Sequence, residues 1–236
     1  HAACEPHVIE LCRFLSNMGA EVEGAGTPTI RIAGGRRLVG AEHRLEGDYI
    51  EAGSWLVAGA VTGGELEVSG ARAEHLEPIV AVLKRMKVDC EVDEELLLLR
   101  PSSLVGVRQI TTAPWPGFPS DMVSLISVLA TQAAGRTLIH DWMYEARMFF
   151  VDKLVRMGAH ITMCDPHRVL VEGPSRLRGK RLESPDIRAG MALLVAGLCA
   201  EGETVIEHGE VVLRGYEKVT ERLRNIGAQI SEEQRQ

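Results

Sequence analysis

The stretch "DIRAGMALLVAGLCAEG", residues 186 to 202, decides the fold, because its plan occurs three times along the chain. It opens on Asp186, continues as a small and apolar run of about four helical turns, and stops at a glycine. An aspartate in the first turn suits the positive end of the helix dipole, and a glycine suits a left-handed C-cap. "DYIEAGSWLVAGAVTGG" from Asp48 and "DMVSLISVLATQAAG" from Asp121 follow the same plan. After each comes a short β-like stretch: "ELEVSG", "RTLIHD" and "ETVIEHG".

A second helix belongs to each unit. In "YEKVTERLRNIGAQI" the apolar residues Tyr216, Val219, Leu223 and Ile226 recur at three- and four-residue steps, a helical stripe. "FFVDKLVRMGAHI" and "IVAVLKRMKVDC" repeat the idea and run into strands, and "LCRFLSNMGAEV" near the start closes the same way. The chain is therefore α/β, with three repeats after Asp48 and the end of an earlier copy before it. A boundary falls near Arg44 to Gly47, so that residues 1–46 end one domain and residues 47–236 form a second, with "SEEQRQ" at the end frayed. The chain opens at His1 and enters structured-looking sequence at once, so an upstream part is expected to be missing.

Composition bounds the function. With 236 residues, 45% hydrophobic and 25% charged, the chain can bury a core and is globular. A net charge of −7 argues against a general nucleic-acid binder but permits a small anionic substrate held by a few arginines. The five cysteines are scattered without a CxxC pair, which offers neither a disulfide framework nor a zinc site and points to a reducing cytoplasm. No apolar run reaches the ~18 residues of a membrane span, and no secretory signal opens the chain.

Chemistry gathers around one segment. "PWPGFPSDM", residues 114 to 122, places three prolines ahead of Asp121. Prolines fix φ and restrict the residue before them, so the carboxylate arrives with little backbone freedom, as a general base requires. Capping is the competing role for Asp48, Asp121 and Asp186 alike. Arg147 and Arg214 each precede the second helix of their repeat, and Arg188 lies two residues after Asp186. The repeat brings all three to the end of the domain that carries Asp121, where guanidinium forks suit carboxylate and phosphate groups. "GAGTPTIRIAGG" reads as turns around a hairpin, and His140 with Asp141 as a loop pair, with the edge of a site as the alternative. Trp115, Trp142 and Tyr144 are candidates for either a pocket wall or core; Cys12 and Cys199 read as core.

"PGFPSDM", "EARMFFVDKLVRMGAH", "DIRAGMALLVAGLCAEGETVI" and "RGYEKVTERLRNIGAQI" resemble the later half of the UDP-N-acetylglucosamine 1-carboxyvinyltransferase family of enolpyruvyl transferases. "AACEPHVIELCRFLSNMGAEVEGAGTPTIRI" resembles the end of that family's first domain, and phosphoshikimate carboxyvinyltransferase motifs match less well. The resemblance implies an inside-out α/β barrel of three βαβαββ repeats, incomplete at the N-terminus, with the active site in a cleft against a partner domain. It implies transfer of the enolpyruvyl group from phosphoenolpyruvate to the 3′-hydroxyl of UDP-N-acetylglucosamine with release of phosphate, the first committed step of peptidoglycan precursor synthesis. No metal, cofactor, nucleic acid or membrane is implied.

By position, the resemblance makes Asp121 the base on the sugar hydroxyl and Met143 a backbone contact to the nucleotide sugar. Arg147, Arg188 and Arg214 surround the phosphoenolpyruvate anion, and Asp186 is implicated in proton transfer. The family's "ENR" reads "EAR" at Glu145 to Arg147, and its "AAREPE" reads "AACEPH" at Ala2 to His7. The family's Lys-Asn pair and mobile-loop cysteine fall in the absent half, so this chain alone is expected to be inactive. A non-catalytic nucleotide-sugar-binding paralogue, or a transferase using another acceptor such as shikimate 3-phosphate, are the alternatives.

Overall fold

A computed structural model describes residues 1–233. The last three residues of "SEEQRQ", whose fraying the sequence leads one to expect, lie outside the described residues. The chain begins with α1 (Pro6–Asn17) and an antiparallel pair, β1 (Glu21–Glu23) and β2 (Arg31–Ala33), which is the hairpin read from "GAGTPTIRIAGG". Then come α2 (Tyr49–Thr62), β3 (Leu66–Ser69), α3 (Ala73–Arg85), β4 (Asp89–Asp93) and β5 (Leu96–Arg100). The second unit holds β6 (Gln109–Thr111), α4 (Val123–Gln132), β7 (Gly135–His140), α5 (Val151–Arg156), β8 (His160–Asp165) and β9 (Arg168–Gly173). The third holds β10 (Arg181–Glu183), α6 (Ile187–Leu198), β11 (Val205–Glu207) and α7 (Val219–Asn225).

Sheet order exposes the repeat. The second unit is complete, with order β6-β7-β9-β8: the first pair parallel, the others antiparallel. The first unit, β3-β5-β4, keeps the antiparallel part of that order, and the third, β10-β11, keeps the parallel part. Where each unit's lead-in crosses its second strand, one backbone bond recurs: Gly47 N–H to Gly70 O (3.1 Å), Thr112 N–H to His140 O (3.0 Å) and Ser184 N–H to Glu207 O (2.9 Å).

The apolar Asp-led helices sit at the centre. In α4 every residue from Val123 to Thr131 is buried, and α2 and α6 are buried over most of their length, so past their first turns these helices carry no charged face. They pack pairwise against one another, and the sheets lie outside them. Strand alternation matches that arrangement: Leu97 and Leu99 of β5, and Val169 and Val171 of β9, turn inward.

The helix ends depart from the expected plan. Only α2 stops on a glycine C-cap, Gly63 at φ 65°. Helix α4 ends at Ala133 in extended backbone, with Gly135 opening β7, and α6 ends at Cys199. The glycines there serve the turns into the strands.

Gly173 holds a second kind of constraint. It closes β9 beneath the end of α4, where an added Cβ would fall 2.6 Å from Ala130 O and 2.8 Å from Thr131 O. Backbone carbonyls at a helix end cannot swing aside as a side-chain tip can. Gly173→Ala should therefore destabilise the protein by about 1–3 kcal/mol, the usual cost of overpacking. The urea midpoint measures this; an unchanged midpoint would show that α4 and β9 separate freely.

Candidate active site

The three aspartates have different local roles. Asp48 caps α2, its Oδ1 accepting from Ile50 N (2.8 Å) and Glu51 N (3.2 Å). Asp186 caps α6 in the same way, accepting from Arg188 N and Ala189 N at 2.8 Å each. Asp121 caps nothing. It lies in a 3₁₀ turn, Ser120–Met122, that leads into α4.

The difference traces to chain length after the recurring crossing bond. Asp48 follows Gly47 directly and Asp186 follows Ser184 by two positions, whereas eight residues, 113–120, separate Thr112 from Asp121. That excursion, "APWPGFPS", closes on itself through Ala113 N–H to Phe118 O (3.1 Å) and Gly117 N–H to Pro114 O (2.8 Å). Phe118 is buried, and Trp115 stacks edge-on against Tyr49 with centroids 5.7 Å apart. The stiff, anchored detour carries Asp121 out of the capping register and leaves its carboxylate to other partners.

Those partners are two arginines. Arg188 places Nε 3.0 Å and Nη2 2.8 Å from Asp121 Oδ2, and Arg147 places Nη2 3.5 Å from Oδ1. The Asp121 side chain stays 38% exposed, so the cluster is open to a ligand. Arg188 also donates Nη1 to the Tyr216 hydroxyl (3.3 Å), which is 2.9 Å from Ser54 Oγ. Ser54 spends its single proton on Ile50 O (2.7 Å), so Tyr216 must be the donor to Ser54. One hydrogen-bonded chain thus joins all three repeats. Burial works against the Arg188 charge, but Tyr216 and Asp121 more than offset it and hold its pKa above the ordinary arginine value.

Asp48, Tyr49, Asp121 and Arg188 line a cleft of about 400 Å³, which Pro6, His7 and Glu10 at the start of α1 also line. Burial, then the charges of Glu5, Asp48 and Asp121, push the Tyr49 hydroxyl up to about 12. It keeps its proton at neutral pH.

Arg214 ends a 3₁₀ turn (Gly209–Arg214) and is exposed; among the described residues its guanidinium has no ion-pair partner. Met143 is half-buried, and its N–H bonds Asp141 Oδ1 at 3.1 Å. Asp186, Met143, Arg147 and Arg214 do not line the cleft itself. Nor do the candidate aromatic residues: Trp142 and Tyr144 are each 53% exposed, with Tyr144 lying 4.6 Å from the Arg147 guanidinium. The sequence does not single out Tyr49 or Tyr216 for the site, Tyr216 reading as part of an apolar stripe, and it offers Asp141 as half of a loop pair or the edge of a site.

Three repeated α/β units around a helical core, with two guanidinium groups drawn onto one carboxylate beside an open cleft, define a class of α/β proteins with one charged, accessible site. The profile of the EPSP synthase (3-phosphoshikimate 1-carboxyvinyltransferase) family matches residues 1–223, and the chain belongs to that family of enolpyruvyl transferases. It is 43% identical over 238 residues to the UDP-N-acetylglucosamine 1-carboxyvinyltransferase of Treponema denticola, and 44% identical to that of Borreliella burgdorferi. Each match covers 98% of this chain and 56% of the relative, so the chain spans little more than half the length of these relatives. The enolpyruvyl transferase NikO from Streptomyces tendae superposes with a TM-score of 0.83 at 29% identity, over 96% of this chain and 54% of NikO. EPSP synthase from Acinetobacter baumannii, at 22% identity and a TM-score of 0.70, shares the fold.

Proposed function

We propose that the complete protein transfers the enolpyruvyl group of phosphoenolpyruvate to the 3′-hydroxyl of UDP-N-acetylglucosamine, with release of phosphate, as a cytoplasmic step of peptidoglycan precursor synthesis. The observation that carries this reading is the Asp121 carboxylate suspended between Arg147 and Arg188 at the cleft. The names of the relatives at 43% and 44% identity support the choice of donor and acceptor. The five free cysteines fit a reducing compartment. In this reading residues 1–46 end the first domain, and residues from 47 onward form the second, which meets the remainder of the first across the cleft.

The chemistry assigns each group a task. Phosphoenolpyruvate brings a carboxylate and a phosphate, which compete for the N–H groups now resting on Asp121. Arg147, Arg188 and the exposed Arg214 take these anions, and an Asp121 oxygen is released to accept the proton of the sugar hydroxyl. The sugar oxygen then bonds to C2 of phosphoenolpyruvate while C3 gains a proton, giving a tetrahedral intermediate. Loss of phosphate from C2 and of a proton from C3 restores the double bond. Asp186 is the acidic group of this chain assigned to proton transfer at C3, and the Met143 backbone faces the nucleotide sugar.

The matching family description, 3-phosphoshikimate 1-carboxyvinyltransferase, gives weight to a second reading, an enolpyruvyl transferase with a different acceptor. Phosphate release by the full-length protein separates the two. Phosphoenolpyruvate with UDP-N-acetylglucosamine should release phosphate, and phosphoenolpyruvate with shikimate 3-phosphate should not. Release with the second acceptor alone would transfer the assignment to it. No release with either would reduce the protein to a binding role.

A further inference from the structure

We propose that Asp141 is a positioning residue, a buried anion that holds Asp121, Arg147 and the Met143 peptide in one register. The proposal rests on the enolpyruvyl transferase reading above. Among the described residues Asp141 is the one acidic side chain that is buried, with 0% exposure. Its root is fixed from the turn between β8 and β9, where its N–H donates to His167 O (2.9 Å) and its carbonyl meets His167 Nδ1 (2.8 Å).

Three hydrogen-bond donors and one ion-paired guanidinium converge on its two oxygens. Thr112 Oγ1 (2.8 Å) and Met143 N (3.1 Å) reach Oδ1; Ser120 Oγ (2.5 Å) and Arg147 Nε (3.6 Å) reach Oδ2. The hydroxyls can rotate, but a peptide N–H and a guanidinium Nε–H can only donate. Each oxygen therefore faces one fixed donor, and only a carboxylate offers an acceptor to both. An asparagine amide must turn its NH₂ toward either Met143 N–H or Arg147, whichever way it is flipped.

The consequence reaches the reacting groups. Ser120 is the residue immediately before Asp121, and Arg147 touches Asp121 with its other nitrogen. The carboxylate proposed as base and an arginine proposed for the anion thus take their positions from one buried charge. A misplacement of about 1 Å at a reacting group costs on the order of 10²-fold in rate.

The test is Asp141→Asn in the full-length protein, read by steady-state kinetics and by a crystal structure. Turnover should fall about 10²-fold with a raised KM for phosphoenolpyruvate, and Asp121 and Arg147 should be displaced. A purely structural role predicts instead that the folded fraction keeps wild-type KM and turnover, with Asp121 and Arg147 in place; that result overturns the proposal. If Asp141→Asn does not fold, Ser120→Ala removes one of the four contacts and leaves the carboxylate. It should lower turnover in the same direction, and unchanged turnover with an unmoved Asp121 would again overturn it. A wild-type protein without turnover would count against the functional reading, not against this one, and the positions of Asp121 and Arg147 in the variant crystal would then decide.

Discussion

Asp121→Asn in the full-length protein should lower kcat by about 10²- to 10⁴-fold, the range that a positioned general base contributes. The fold should survive, because Asp121 caps no helix and its side chain is 38% exposed. Its two ion pairs lie at an open cleft, where such contacts are worth about 1 kcal/mol or less. Both arginines also keep other partners, Arg147 at Asp141 and Tyr144 and Arg188 at Tyr216. The sign of the KM change carries the mechanism. Losing the carboxylate frees guanidinium N–H groups that the substrate anion would otherwise have to win, so KM for phosphoenolpyruvate should stay level or fall while kcat collapses. Steady-state kinetics with a circular dichroism melt on the same sample make the measurement. Turnover within a few-fold of wild type would remove Asp121 from the base role; a raised KM would mean that the pair holds the arginines for the substrate and does not compete with it.

The parts of this arrangement legible in the sequence are those set by short-range pattern. The buried helices α2, α4 and α6 announce themselves as small apolar runs, because a helix surrounded by protein needs no polar face. The capping aspartates Asp48 and Asp186 are equally local, each bonding amides two and three residues ahead. Asp121 stands out for a reason also written nearby, the prolines that lengthen its lead-in. What the sequence could not convey is pairing across distance. Asp141 looks like an ordinary loop acid because Ser120 and Thr112 lie 21 and 29 residues away. Tyr216 fits an apolar stripe perfectly well, and only its contact with Ser54, 162 residues distant, reveals the polar use of its hydroxyl. The glycine stops mislead for a related cause: a glycine near a helix end can equally serve the strand that follows, as Gly135 serves β7 at φ 112°.

Arg188→Gln should cut kcat/KM for phosphoenolpyruvate by about 10²- to 10³-fold, the scale seen when one preorganised donor to a developing charge is removed. Arg188 differs from Arg214 in what holds it. Arg214 is exposed and free to follow a ligand, whereas Arg188 is fixed by Tyr216 on one side and faces Asp121 on the other. Tyr216 is itself buried at 0% exposure and committed to Ser54, so the guanidinium plane is set before any substrate arrives. That preorganisation depends on a fork. Nη1 serves the tyrosine while Nε and Nη2 serve the carboxylate, a division that a single ammonium cannot make. Arg188→Lys should therefore fail to restore function despite keeping the charge, with KM for phosphoenolpyruvate remaining high. If lysine rescues both KM and kcat, net positive charge alone is what the cleft requires, and the chain from Arg188 through Tyr216 to Ser54 is packing without a part in the chemistry.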